Sequence, residues 1–101
     1  DRQHPQLAAQ ADPLNPAVLA LIGSTAKAAN AAGIHVGVCG GLAGDPLGAR
    51  ILAGLGVNDL SMSAQDIAAV KTVLRAETLS AMQLLAQRAL AAGSASEVRA
   101  L

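Results

Sequence analysis

The chain has 101 residues, of which 52% are apolar and 14% charged, with seven acids balancing seven bases. That composition excludes a disordered segment, and with no basic cluster and no Phe, Tyr or Trp it gives nucleic acid neither phosphate neutralisation nor base stacking. No apolar run approaches the roughly 18 residues that span a bilayer, and a lone cysteine, unable to close an internal disulfide, points to a reducing, cytoplasmic setting.

The start, Asp1-Arg-Gln-His-Pro5, has neither an initiator Met nor a signal-peptide apolar region, which suggests an internal or excised segment. Pro5 and Pro13 break any helix, so residues 1–14 read as loop. Arg2 there is either solvated or a planar clamp for phosphate or carboxylate. His4 has no companion that would give it a role. Asn15-Pro16 is a cap followed by a first-turn proline, and Val18, Leu19, Leu21, Ile22, Ala26 and Ala29 recur at helical spacing until Gly33 ends the helix. Lys27 falls on its polar side.

The chain is organised around Val36-Gly-Val-Cys-Gly-Gly-Leu-Ala-Gly-Asp-Pro46. Ile34, Val36 and Val38 alternate with His35, Gly37 and Cys39, which predicts a strand over 34–38 leading into a glycine-rich turn. Cys39 would then sit at a strand's carboxyl end, where α/β folds keep their chemistry, though a small buried cysteine has the same signature. His35 lacks neighbours at ligand-like spacing, which favours a structural role over metal binding. Asp45-Pro46 opens a helix over 46–55 with Leu47, Ile51, Leu52 and Leu55 inside and Gly56 as its stop; Asp45 reads as a cap before it reads as an acid. The glycines do not make a nucleotide site. No Gly-Lys-Ser/Thr follows, and the dinucleotide pattern is missing.

Val57–Ser63 predicts a second short strand, after which Ser63 with Asp66 forms a short capping box for a third helix facing inward through Ile67, Val70, Val73 and Leu74. Thr78 caps a fourth helix carrying Leu79, Met82, Leu85, Ala89 and Leu90, stopped by Gly93, and Ser94-Ala-Ser-Glu97 is a capping box for a last turn. Two strands joined through a helix make a parallel βαβ unit. Two parallel strands satisfy neither their edges nor both faces, and a core without aromatics buries little area per residue. The expected fold class is therefore α/β: the carboxyl-terminal portion of a (β/α)8 barrel, with two parallel strands and about five helices, incomplete as a barrel by itself.

With Arg2, Cys39 and the turn in place, the whole chain resembles Enzyme I of the phosphoenolpyruvate-dependent sugar phosphotransferase system, in the last part of its phosphoenolpyruvate (PEP)-binding barrel. The residues that carry the resemblance are Asp1-Arg2, Pro13-Leu-Asn-Pro-Ala-Val-Leu19, Gly37-Val-Cys-Gly40 with Leu42-Ala-Gly-Asp45, Leu55-Gly-Val-Asn-Asp-Leu-Ser-Met-Ser63, and Leu85-Ala-Gln-Arg-Ala-Leu-Ala91. Pyruvate phosphate dikinases and PEP synthases share the Cys-Gly turn; Leu42-Ala-Gly-Asp45 and Ser61-Met-Ser63 favour Enzyme I. The resemblance implies that residues 1–101 are one segment of the barrel domain, that Cys39 donates a proton to C3 of enolpyruvate, and that Arg2 holds PEP. It also implies a Mg2+ ion and a phosphorylated histidine supplied from upstream, the phosphocarrier HPr as acceptor, a homodimer through the barrel domain, and no activity for the segment alone. An unperturbed thiol, with a pKa of about 8.5, is mostly protonated at neutral pH and suits that acid role. Gly41 stands where many members of the family carry an acid. A reading of another class is a non-catalytic dimerisation module, motivated by the open sheet edge and the alanine-rich helices.

Overall fold

The computed structural model describes residues 12–101, so Arg2 and His4 lie outside the described residues. Helix α1 spans Pro16–Ala31, strand β1 Gly37–Cys39, α2 Gly41–Gly44, α3 Pro46–Gly54, β2 Asp59–Ser61, α4 Ala64–Ala76, α5 Leu79–Ala91 and α6 Ala95–Arg99. The two strands pair in parallel, with Gly37 opposite Asp59, Val38 opposite Leu60 and Cys39 opposite Ser61. The fold is α/β and mostly helical, as the alternation of elements predicts.

Local chemistry sets most boundaries. The Asn15 side chain accepts from the Ala17 N–H at the start of α1, and Asp45 accepts from Leu47 and Gly48 at the start of α3; each is followed by the expected proline. Both helices end alike. The N–H groups of Gly33 and Ile34 turn back to Asn30 and Ala29, and those of Gly56 and Val57 turn back to Ala53 and Leu52, the paired bonds of a Schellman ending. Thr78 Oγ1 accepts from Ala81 N–H at 3.1 Å and caps α5.

Several expectations are corrected. The first strand begins at Gly37 rather than Ile34, because the Ile34 N–H is spent closing α1; Ile34 is 61% exposed, and Val36 N–H donates instead to the Asn58 side chain. The second strand is confined to Asp59–Ser61 for a related reason: Val57 closes α3, and Asn58 bridges to Val36. Ser63 begins α4 without a side-chain cap. Its carbonyl accepts from Asp66 N–H at 2.9 Å, and the Asp66 side chain leans toward Gly44 instead. The box at α6 is shifted too: Ser94 Oγ accepts from Glu97 N–H, while Glu97 reaches back to the N–H of Gly93, one residue earlier than the motif expects.

The core lies between the helices and one face of the sheet. Leu14, Leu19, Ile51, Leu52 and Val98 are fully buried, and Val38 and Leu60 pack on this cluster from the strands. Full burial contributes about 1.5–3 kcal/mol for each such aliphatic side chain. Helix α3 packs closely on α5 at Gly54, where an added Cβ would stand 2.1 Å from the Met82 carbonyl oxygen. The expected inner face of α4 is buried only at Val70; Ile67 is 40% exposed, because among the described residues no element covers that side. Arg50 Nε pairs with Glu77, tying α3 to the end of α4. No described helix is long and apolar enough to cross a membrane.

Candidate functional site

The sheet has two unlike faces. Val38 and Leu60 point to the core, whereas Gly37, Cys39, Asp59 and Ser61, two residues apart on each strand, lie exposed on the other face. Cys39 is the last residue of β1, its thiol free and exposed among the described residues. It is not part of the core that they form.

Immediately after Cys39 the backbone turns. Gly40 has φ 93°, a left-handed value that a residue with a side chain rarely adopts, and its N–H donates to the Ser61 carbonyl at 3.2 Å. The glycine-rich stretch expected as a turn then winds into α2, a single helical turn seated by the buried Leu42 and Ala43. Asp45 ends α2 and caps α3 through Oδ1, at 2.9 Å from Leu47 N and 3.5 Å from Gly48 N. Its cap reading holds.

A hollow of about 440 Å³ opens at this end of the sheet, lined by Cys39, Gly40, Gly41, Ser61, Ser63 and Asp66, with Met62 at its side. It offers a thiol, two hydroxyls and one carboxylate, with bare backbone at Gly40 and Gly41. No Lys or Arg is among the described residues that line it. A proton can be given or taken here; a highly charged anion needs its countercharge from elsewhere. No group of three or more His, Cys, Asp or Glu that could hold a metal occurs among the described residues. His35 stands at the opposite end of the strands, 81% exposed, with Nδ1 3.4 Å from Asp59 Oδ2. It does not line the hollow.

Two contributions escape sequence reasoning. Asp66 reaches the hollow because Gly44 has no side chain: a Cβ there would lie 2.9 Å from Asp66 Oδ2. Arg99, in α6, donates from Nε to Asp12 Oδ2 at 2.8 Å, from Nη2 to Asp12 Oδ1 at 2.9 Å, and from Nη1 to Asp45 Oδ2 at 3.3 Å. Partners 87 and 54 residues away leave no local pattern to find. The Arg99 hydrogen bond holds the Asp12 carboxyl below its ordinary range, opposed by desolvation and helped by the Leu14 N–H, while Asp12 in turn pushes the guanidinium up. A carboxyl depressed on folding adds stability that is fully present above its unfolded value near 3.9 and is lost as pH falls through the folded value. Thermal unfolding followed from pH 7 down to about 2.5 should therefore show a smaller acid loss for Asp12→Asn than for the wild type. With Arg99 48% exposed, the difference should be about 0.5–1 kcal/mol. Parallel curves would contradict the pairing.

Residues 1–79 match the family described as PEP-utilising enzyme, PEP-binding domain. The chain is 59% identical over all 101 residues to the multiphosphoryl transfer protein of Xanthomonas campestris pv. campestris, of which it covers 12%. Over 98% of its length it is 44% identical to the phosphoenolpyruvate-protein phosphotransferase of Streptomyces coelicolor, covering 18% of that protein. Over the same share it is 40% identical to a protein of Escherichia coli K12 named phosphoenolpyruvate-dependent phosphotransferase system, covering 13% of it. The chain thus spans less than a fifth of the length of these curated relatives.

Proposed function

The chain belongs to the family of PEP-utilising enzymes, within their PEP-binding domain, and from that premise we propose that residues 1–101 form the carboxyl-terminal segment of a (β/α)8 barrel in an Enzyme I-type phosphotransferase. The observation that carries the proposal is the exposed thiol of Cys39, at the carboxyl end of β1 and on the sheet face shared with Ser61. Catalytic groups of (β/α)8 barrels come from the carboxyl ends of strands, and the uncovered Gly37–Cys39 and Asp59–Ser61 face suits a barrel interior completed by other strands.

In this reading the enzyme passes the PEP phosphoryl group to its own histidine, outside the chain, and then to HPr, in support of sugar uptake. Breaking the P–O bond leaves its electron pair on oxygen as pyruvate enolate. The enolate C3 takes the Cys39 proton: an S–H bond breaks, a C–H bond forms, and the resulting thiolate recovers a proton from solvent. The bare backbone of Gly40 and Gly41 lets the three-carbon unit approach the sulfur. Arg2 binds PEP through its phosphate. The described residues do not themselves form a metal site; a Mg2+ ion would take its ligands elsewhere in the protein. A cytoplasmic location and a homodimer through the barrel domain belong to the same proposal.

In the complete protein, PEP should slow alkylation of Cys39 by iodoacetamide, read by mass spectrometry of the peptide that contains it. A protection of about tenfold at saturating PEP is expected, since a bound ligand over the sulfur leaves only the free fraction reactive. Alkylation at an equal rate with and without PEP would sink the placement of the substrate.

A further inference from the structure

Arg99 does not line the hollow that holds Cys39, yet it grips the segment that shapes it. Its Nη1 meets Oδ2 of Asp45, whose Oδ1 is committed to the amides that open α3. Asp45 also ends α2: its N–H donates to Leu42 O, and the Gly44 N–H donates to Gly40 O, next to Cys39. The other two guanidinium bonds go to Asp12, whose carboxylate also accepts from Leu14 N–H ahead of α1. The planar fork thus fixes Asp45 relative to a second loop, and α6 itself is anchored by the fully buried Val98.

We propose that Arg99 is a positioning residue for Cys39, holding α2 and the Cys39–Asp45 turn in register with the loop that enters α1. This rests on the reading of Cys39 as proton donor. The fork sets where the thiol stands and touches no substrate. Misplacement of a reacting group by about 1 Å can cost up to a hundredfold in rate without loss of binding.

The test is a cycle of Arg99→Met, Asp45→Asn and the double variant in the complete protein, assayed for PEP-dependent pyruvate formation below the unfolding temperature of each. Asparagine keeps the α3 cap but removes the charge that Arg99 holds. Arg99→Met should lower kcat about tenfold with KM for PEP within about twofold, and should change the iodoacetamide rate at Cys39 severalfold. Arg99→Lys, which retains charge without the fork, should restore only part of the rate. The double variant should be no slower than the slower single one, because the contact that Asp45→Asn breaks is already lost in Arg99→Met. Multiplying losses, or a lower melting temperature with kcat and thiol reactivity intact, would overturn the proposal. Should Cys39→Ala turn over normally, the proton-donor reading fails instead, and the thiol-reactivity measurement still decides whether Arg99 positions the turn.

Discussion

In the complete protein, Cys39→Ala should lower pyruvate formation by about 10²- to 10⁴-fold, the usual contribution of a positioned acid. The loss should fall on kcat, with KM for PEP little changed, because the thiol acts on the reacting carbon and not on the phosphate or carboxylate that hold the ligand. Cys39→Ser should be almost as slow, since a hydroxyl is a far weaker acid than a thiol. The local structure argues that such variants fold normally: among the described residues the core contacts of β1 come from Val38, and the Cys39 side chain is not part of the core cluster. Steady-state rates with PEP, alongside a thermal unfolding curve, separate the chemical effect from a stability effect. Wild-type turnover in the alanine variant would remove Cys39 from the reaction.

The largest stability effect is expected far from the hollow. Gly54→Ala places a methyl group 2.1 Å from the Met82 carbonyl oxygen and 2.6 Å from its carbonyl carbon, where real Cβ contacts do not occur. The obstacle is the α5 backbone, not a flexible side chain, so α3 and α5 have to move apart. Alanine gains about 1 kcal/mol of helix propensity over glycine, but overpacking a close helix contact costs about 1–3 kcal/mol, and a clash with backbone belongs at the upper end. Separating the helices also loosens the burial of Leu85, Ala86 and Ala89 along α5. A net loss of about 2 kcal/mol should appear in thermal or denaturant unfolding. Gly41→Ala is the control: nothing lies within 4 Å of its added Cβ, its φ is not left-handed, and its stability change should stay within about 0.5 kcal/mol. Equal stability of the two variants would contradict the packing.

Helices were readable because their signals are local. Asn15, Asp45, Thr78 and Ser94 each stand within three residues of the amide they cap, and Gly33 and Gly56 end helices through bonds spanning one turn. The parallel pairing was readable from the crossover, since a strand, a helix and a strand leave few other solutions. Strand lengths were not. Ile34 and Val57 carry strand-like side chains, but their N–H groups complete Schellman endings, a demand that outweighs β propensity. Helix α2 was hidden because Gly41 and Gly44 are poor helix formers; the buried Leu42 and Ala43 make the turn. Spacing puts Ile67 inside, yet it is exposed, because spacing reports which residues share a face and not whether anything covers it. At the site, Cys39 and its turn were legible as a strand end followed by glycines. The contacts of Asp66 with Gly44 and of Arg99 with Asp45 were not, because packing, not local sequence, brings those segments together. Arg2 lies outside the described residues, so its role rests on the resemblance.

The role proposed for Cys39 can be read from the product's stereochemistry, independently of rate. PEP carrying deuterium at one of its two C3 positions, turned over in tritiated water by the complete protein, yields pyruvate with a chiral methyl group. A thiol fixed at the end of β1 delivers its proton to one face of the enolate, so the wild type should give a single configuration. The residual turnover of Cys39→Ala should give a nearly racemic methyl group, because solvent reaches both faces once the acid is gone. A single configuration from the alanine variant would show that another group protonates the enolate.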